Sequence, residues 1–328
     1  MKKRISIDLH LHFDGSLSIK NVRELAMIEG IALDINDDEL RERLTVSRDC
    51  KNLGEYLTKF AFPLSLLQSA ESIEKGMHTL CRELLSEGCI YAEIRFAPQL
   101  HLDKGLTQDE VVDAAIRGFE TSGLCGGLIL CCMRSDDNRE LNEQTVAVAK
   151  RYLGQGVLAL DLAGNEAGYA TSSFRSLFEI AREAEVPFTI HAGEADSAES
   201  VICAIEMGAQ RIGHGVRSFE SEALMQTLAK EQIPLEMCPT SNLQTAIFER
   251  IEDYPIKLFY DRGICVTLNS DNRSVSATDA HSELELVCRT FGFGESDERR
   301  LLENSVKAAF ADEKTKRELM LLIADAYA

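Results

Sequence analysis

The chain has no run approaching the ~18 apolar residues of a bilayer-spanning helix. Its basic start, MKKRISIDLH, leads into no apolar h-region, so no secretory signal peptide is expected. CxxC pairs are missing as well. The ten cysteines are scattered, and Cys89, Cys131, Cys132, Cys203 and Cys265 fall in apolar segments, which suits buried reduced thiols in a cytoplasmic protein better than a disulfide frame. Basic residues are few: 35 Lys and Arg stand against 54 Asp and Glu, a net charge of −19. A surface that acidic repels phosphate backbones and anionic membranes, which argues against nucleic acid or membrane as a partner. No low-complexity tract, linker or short-period repeat divides the chain, so residues 1–328 are expected to form one domain.

What the sequence does hold is core-forming residues, 45% of 328, arranged in an alternation of two patterns. Short β-branched apolar runs predict strands at Ile5–Leu9, Ile90–Ala97, Leu124–Cys132, Val157–Leu162, Pro187–His191, Arg211–Gly213, Leu235–Met237 and Ile264–Asn269. Amphipathic helical patterns lie between them at Ala70–Glu87, Gln108–Ser122, Asn142–Leu153, Ser172–Glu183, Ala198–Met207 and Glu220–Lys230. Eight strands alternating with helices predict an α/β protein, a (β/α)8 TIM barrel with a parallel sheet covered on its faces. Extra helices are expected after strand 1, between Asp34 and Leu67, and at the C-terminus from Ser282. In the first of these, Pro63 interrupts an apolar stretch whose Leu57, Phe60 and Phe62 either pack on the barrel or close over a pocket, so Leu57–Leu67 is a candidate lid.

In such a barrel the functional groups sit where strands end. His10 and His12 stand two apart at the end of the first strand, a spacing that puts both imidazoles on one face. Alone, the pair reads equally well as two polar residues facing water. His191 after the fifth strand, His214 after the sixth and Asp271 after the eighth change the balance. Three imidazoles and a carboxylate suit one Zn²⁺ with a position left open for water. His10, His12, His191 and Asp271 are assigned to the metal, where water acquires a pKa near ~7. His214 remains over, to orient or deprotonate that water. Glu194 follows His191 by three positions, near the start of a helix, where an acidic residue is also ordinary. Held protonated in a pocket, it can instead donate to a ring nitrogen as hydroxide adds to the adjacent carbon. His78, His101 and His281 lie in helical or loop contexts and are expected to be structural.

HLHFDGSL, LAGNE, HAGE, RIGHG, CPTSN and LNSDN, in this order and at the strand ends, resemble the adenosine deaminase family of metal-dependent amidohydrolases. The resemblance spans nearly the whole chain. It implies hydrolytic deamination of adenosine, and of 2′-deoxyadenosine, to the inosine and ammonia in purine salvage. It matches His10, His12, His191 and Asp271 to the zinc ligands, Glu194 to the proton donor at purine N1, and His214 to the residue that positions the hydroxide. Substrate contacts are carried over to His12, to Asp14 at the ribose 5′ end, to Gly164 through its backbone, and to Asn272 at purine N7. Related enzymes acting on free adenine carry Glu-Gly-Thr after the first histidine pair, and here Phe13-Asp14-Gly15-Ser16 stands there. Two positions depart from the family pattern: Asn272 replaces a second aspartate, and Arg273 replaces a proline. An asparagine amide donates to N7 with no shifted pKa required. Adenine, N6-substituted purines or modified nucleosides remain alternative substrates of the same zinc chemistry, and a non-catalytic nucleoside-binding protein is the alternative of another class. The oligomeric state is not specified by any of these features.

Overall fold

The structure, a computed structural model, describes residues 4–47 and 49–328. Eight parallel strands follow in chain order: β1 (Ser6–His12), β2 (Cys89–Phe96), β3 (Gly126–Arg134), β4 (Val157–Gly164), β5 (Thr189–Ala192), β6 (Arg211–His214), β7 (Leu235–Met237) and β8 (Val266–Leu268). They pair in sequence order as β1 to β4 and as β5 to β8. Two seams join the halves. Leu160 of β4 bridges Phe188, just before β5, and Leu11 of β1 bridges Asp271, just after β8. At the second seam the His12 N–H donates to the Asp271 carbonyl at 2.7 Å and the Asp271 N–H to the His10 carbonyl at 2.8 Å. The first and last strands therefore meet at the histidine pair.

The connecting helices form where the sequence supplies both a buried stripe and defined ends. In Ala70–Glu87 the buried Ile73, Met77, Leu80 and Leu84 recur at helical spacing. Ser69 caps its start by accepting from the Ser72 N–H. Gly88 ends it in the left-handed region at φ 95°, and a Cβ there would lie 2.5 Å from the Arg4 carbonyl oxygen. Three helices close the chain, Ala280–Phe291, Glu295–Ala308 and Glu313–Ala326. Leu302, Val306, Leu319 and Ile323 pack against Ile5 and against Ile7 and Leu9 of β1 in a second apolar cluster. No helix among the described residues is long and apolar enough to cross a membrane. All ten cysteines are free.

Element ends shift from the pattern-based expectation where tertiary pairing extends or trims a strand. β1 continues to His12 because the seam with Asp271 keeps that backbone extended, so both histidines belong to the strand rather than to a loop. β3 and β4 pair as far as Arg134 and Gly164, whereas β8 stops at Leu268. Pro63 stands in Ala61–Ser65, which continues directly from Leu53–Leu57 through a 3₁₀ turn at Thr58–Phe60. This break from α to 3₁₀ turn falls just before the proline, whose missing N–H would have met the Lys59 carbonyl. The two readings of the aromatic segment divide by residue: Leu57 and Phe60 face the cavity, whereas Phe62 is buried with the Arg43 guanidinium 3.6 Å from its ring centroid.

The barrel axis is charged, unlike the layer between strands and helices. Arg95 donates to Asp161 at 2.9 Å, to Glu236 at 2.8 Å and to the Leu9 carbonyl at 2.6 Å. Arg211 donates to the other Glu236 oxygen at 2.6 Å and pairs with Glu93 at 2.6 Å. All five side chains are fully buried, so each charge depends on its partners rather than on water. Glu236→Ala would leave two buried guanidinium groups short of a counter-charge. A loss of about 3–5 kcal/mol is expected in urea denaturation. An unchanged unfolding midpoint would show that the pairs at the axis do not support the barrel.

Candidate active site

Alternation along the strands decides which side chains meet. In β1, Leu11 and Phe13 point into the helix-facing core, so His10 and His12 point inward. In β5, Ile190 and Ala192 face outward and His191 inward. Gly213 of β6 leaves space beside them, since a Cβ there would sit 3.3 Å from His10 Cε1. His214 shares the parity of outward-facing Ile212, and alternation alone would turn it away from the axis. Its φ of 59° swings it inward. Asp271 also has a φ of 59°. Neither residue is a glycine, and both conformations carry strain that the surrounding contacts sustain.

The imidazoles of His10, His12 and His191 converge, with one nitrogen of each within 4.8 Å of the others. His12 Nε2 lies 3.3 Å from His191 Nε2, and Asp271 Oδ1 is 3.4 Å from both His10 Nε2 and His12 Nε2. Two carboxylates set the ring orientations from behind. His10 Nδ1–H donates to Glu236 at 2.7 Å, and His191 Nδ1 lies 2.8 Å from Asp161. Each therefore turns Nε2 toward the common centre. His10 Nε2 is buried with no hydrogen-bond partner, as expected of a lone pair reserved for a cation. Nitrogen and carboxylate donors of this kind fit a borderline divalent ion.

Beside this cluster, Glu194 Oε2 lies 3.7 Å from His214 Nε2. The Asn242 amide nitrogen is 3.1 Å from His214 Nδ1, and the Tyr254 hydroxyl donates to the Asn242 oxygen at 3.0 Å. That chain directs the amide N–H at Nδ1 and leaves the ring's proton on Nε2, facing Glu194. Burial pushes Glu194 well above the usual carboxylate range, and the charges of Asp271 and Glu166 add to it. Burial likewise holds His214 and His12 well below the usual imidazole value, so both rings are neutral. For Asp271 burial acts upward, but the neighbouring His10, His214 and His12 outweigh it and hold the carboxyl well below its usual range. A protonated carboxyl thus stands beside an ionised one, a division of labour set by environment.

These groups line one wall of a cavity of about 400 Å³. Asp14, Gly164 and Asn272 line it too, and Leu53, Tyr56, Leu57, Phe60 and Leu64 supply an apolar roof. Burial raises Asp14 to about 6. The Asn272 side chain rests on Gly15, where a Cβ would fall 2.0 Å from Asn272 Oδ1. Of the residues assigned to metal, catalysis or substrate, all but His10 line this space, and His10 lies in the imidazole cluster at its wall. Glu194 lies near a helix start, as expected, in the loop that precedes the helix beginning at Ala198. The backbone at 193–196 wraps around the Glu166 carboxylate. Sequence patterns gave no role to the supporting residues Glu236, Asp161, Glu166 and Asn242, although Glu166 and Asn242 end the LAGNE and CPTSN motifs. Three of them lie in or directly beside the polar strand-end clusters, and Glu236 is an acidic residue inside an apolar strand, a signal in its own right. His101 is structural as expected: its Nδ1 meets the Leu67 carbonyl at 2.8 Å, and burial lowers it to about 4.

The adenosine deaminase family model matches residues 6–326. The adenosine deaminase of Haemophilus ducreyi is 45% identical over 330 residues, covering 98% of this chain and 96% of that one. That of Clostridium perfringens is 39% identical over 323 residues, with 97% of each covered. Among solved structures, an adenine deaminase from Arthrobacter aurescens superimposes with a TM-score of 0.86 at 26% identity, covering 97% of this chain and 98% of that one. A Burkholderia ambifaria amidohydrolase with bound Zn shares the fold with a TM-score of 0.89 at 19% identity, covering 99% and 91%. A parallel eight-stranded barrel with imidazoles and a carboxylate gathered at its strand ends is the architecture of an amidohydrolase. Within that class, the chain belongs to the adenosine deaminase family.

Gly15→Ala should displace the Asn272 side chain while sparing the cluster beneath it. Weaker binding of substrate analogues, with metal content unchanged by elemental analysis, is the expected result. Unaltered analogue affinity would show that Asn272 does not depend on this contact.

Proposed function

We propose that this enzyme hydrolyses adenosine, and 2′-deoxyadenosine, to the corresponding inosine and ammonia, with one Zn²⁺ per chain, in cytoplasmic purine salvage. The observation that carries the reading is Glu194, a buried carboxyl held in its acid form beside a neutral His214 and the three-imidazole cluster. Relatives of 36–45% identity over nearly the whole chain bear the name adenosine deaminase, which supports the substrate. His10, His12, His191 and Asp271 would hold the zinc, whose chemical contribution is to lower the pKa of water toward ~7.

The remaining work falls to side chains. Glu194 gives its Oε proton to purine N1 as oxygen adds at C6, which cancels the negative charge that would otherwise build on the ring. His214, with its proton on Nε2, donates a hydrogen bond to the incoming oxygen and fixes its approach. Water supplies the oxygen and two protons: one restores Glu194 to its acid form and the other passes to the amino nitrogen, so that the C6–O bond forms, the C6–N bond breaks and ammonia departs. Asn272 donates its amide N–H to N7. Asp14 accepts from the ribose 5′-hydroxyl, and the Gly164 backbone meets the purine. The apolar roof from Leu53 to Leu64 excludes bulk water, which strengthens each of these contacts.

The likeness to an adenine deaminase favours a second reading, in which the same chemistry acts on free adenine or an N6-substituted purine. Asp14 within Phe13-Asp14-Gly15-Ser16 favours the nucleoside, because a short carboxylate leaves room for a sugar. A substrate panel ranked by kcat/KM separates the two.

Glu194→Gln should retain zinc yet lower kcat by roughly 10²–10⁴-fold, since the donor's proton is lost. Normal turnover of that variant would remove the donor role. Because Glu194 acts in its acid form and its pKa is raised, kcat/KM should fall as pH rises through that pKa. Asp14→Ala should harm adenosine more than adenine, and equal losses would argue against the ribose contact.

A further inference from the structure

Glu166 follows β4 and is 1% exposed. Its carboxylate receives five hydrogen bonds from one neighbouring segment. Oε1 accepts from the Gly193 N–H at 2.7 Å and the Ser200 hydroxyl at 2.5 Å. Oε2 accepts from the N–H groups of Glu194 at 2.9 Å, Ala195 at 2.6 Å and Asp196 at 3.1 Å. Four consecutive backbone N–H groups turned to one side make a concavity suited to an anion, and here a side chain from another loop fills it. Gly193 permits the turn with a φ of 65°, and a Cβ at that position would lie 2.4 Å from Val201 Cγ2. Ser200 is held in turn by the Thr171 hydroxyl at 2.7 Å.

We propose that Glu166 is the positioning residue for the proton donor: by binding the backbone of residues 193–196 to one carboxylate, it determines where the Glu194 side chain enters the pocket. The inference rests on the donor role of Glu194. The segment lies outside any helix or strand, since β5 ends at Ala192 and the following helix starts only at Ala198, and its other backbone tie is the Arg217 N–H donating to the Gly193 carbonyl at 3.0 Å. The same carboxylate adds negative charge near Glu194. The charged and titratable groups facing Glu194 are Asp271 and Glu166, which favour its acid form, Arg134, which opposes it, and His214 at 3.7 Å. Geometry and charge thus act in one direction.

Gln at position 166 keeps one acceptor but turns an NH₂ toward the N–H donors and removes the charge. In hydrogen-exchange mass spectrometry the amides of residues 193–196 should exchange slowly in the zinc-loaded wild type, and at least about tenfold faster in Glu166→Gln. The variant should keep its zinc and bind inosine as before, while kcat for adenosine falls roughly 10²-fold, the cost of a misplacement of about 1 Å. The alkaline limb of its kcat/KM profile should move to lower pH, because Glu194 loses a neighbour that favours its proton. A merely structural role would leave that limb in place. Glu166→Asp keeps the charge but withdraws it by one methylene, so it should lose kcat with a smaller displacement of the limb. Unchanged exchange in Glu166→Gln, or an unmoved limb, would overturn the proposal. Fast exchange of residues 193–196 in the wild type would overturn it without any variant, even if Glu166→Gln failed to fold. Absence of aminopurine turnover in the wild type would instead defeat the proposed function, and the exchange result would still decide whether the carboxylate holds the loop.

Discussion

Glu236 sits at the axis of the barrel between two guanidinium groups, and the site above it depends on that arrangement. One oxygen serves Arg211 and Thr189, the other Arg95 and His10. Burying several charges without water is tolerable only when each is paired and its hydrogen-bonding capacity is filled. Arg95 extends the network to Asp161, which meets His191. Two of the three clustered imidazoles are thus oriented by carboxylates that are themselves locked in place. The third, His12, owes its position to the seam that joins β1 to the segment after β8.

Above that base, strain and close packing do the placing. His214 and Asp271 both occupy the left-handed region, a conformation that costs energy in a residue with a side chain. In return His214 turns inward against its strand's alternation, and Asp271 points its carboxylate at two imidazoles while its backbone closes the barrel. Asn272 gains its place because Gly15 has no side chain to compete for it. The Glu166 carboxylate organises the loop that carries Glu194. A rigid barrel with loops tied down by buried side chains holds catalytic groups more firmly than loops alone would.

The site's electrostatics differ from those of the molecule as a whole. The net charge of −19 repels polyanions but is nearly indifferent to an uncharged nucleoside. Within the cavity, burial and the neighbouring carboxylates hold Glu194 in its acid form, and burial keeps His12 and His214 neutral. An acid, an ionised carboxylate and neutral imidazoles can therefore coexist at one pH, and acid-assisted addition to an electron-rich ring needs that combination.

Much of this was legible in the chain. The alternation of short apolar runs with amphipathic segments determined eight parallel strands and their helices, because strand and helix periodicities follow from local geometry. The strand-end positions of His10, His12, His191, His214 and Asp271 marked out the cluster, since the barrel brings those ends to one face. Tertiary structure alone decided which side chains support them. Glu236, Asp161 and Arg95 act on histidines distant in the sequence, and no local pattern records that pairing. The inward turn of His214 and the loop around Glu166 also lay beyond periodicity: one depends on a strained backbone angle, the other on a carboxylate from the neighbouring strand end. Local physics settles where elements form and which way they alternate, whereas buried charges and strained backbone are stable only once the rest of the barrel surrounds them.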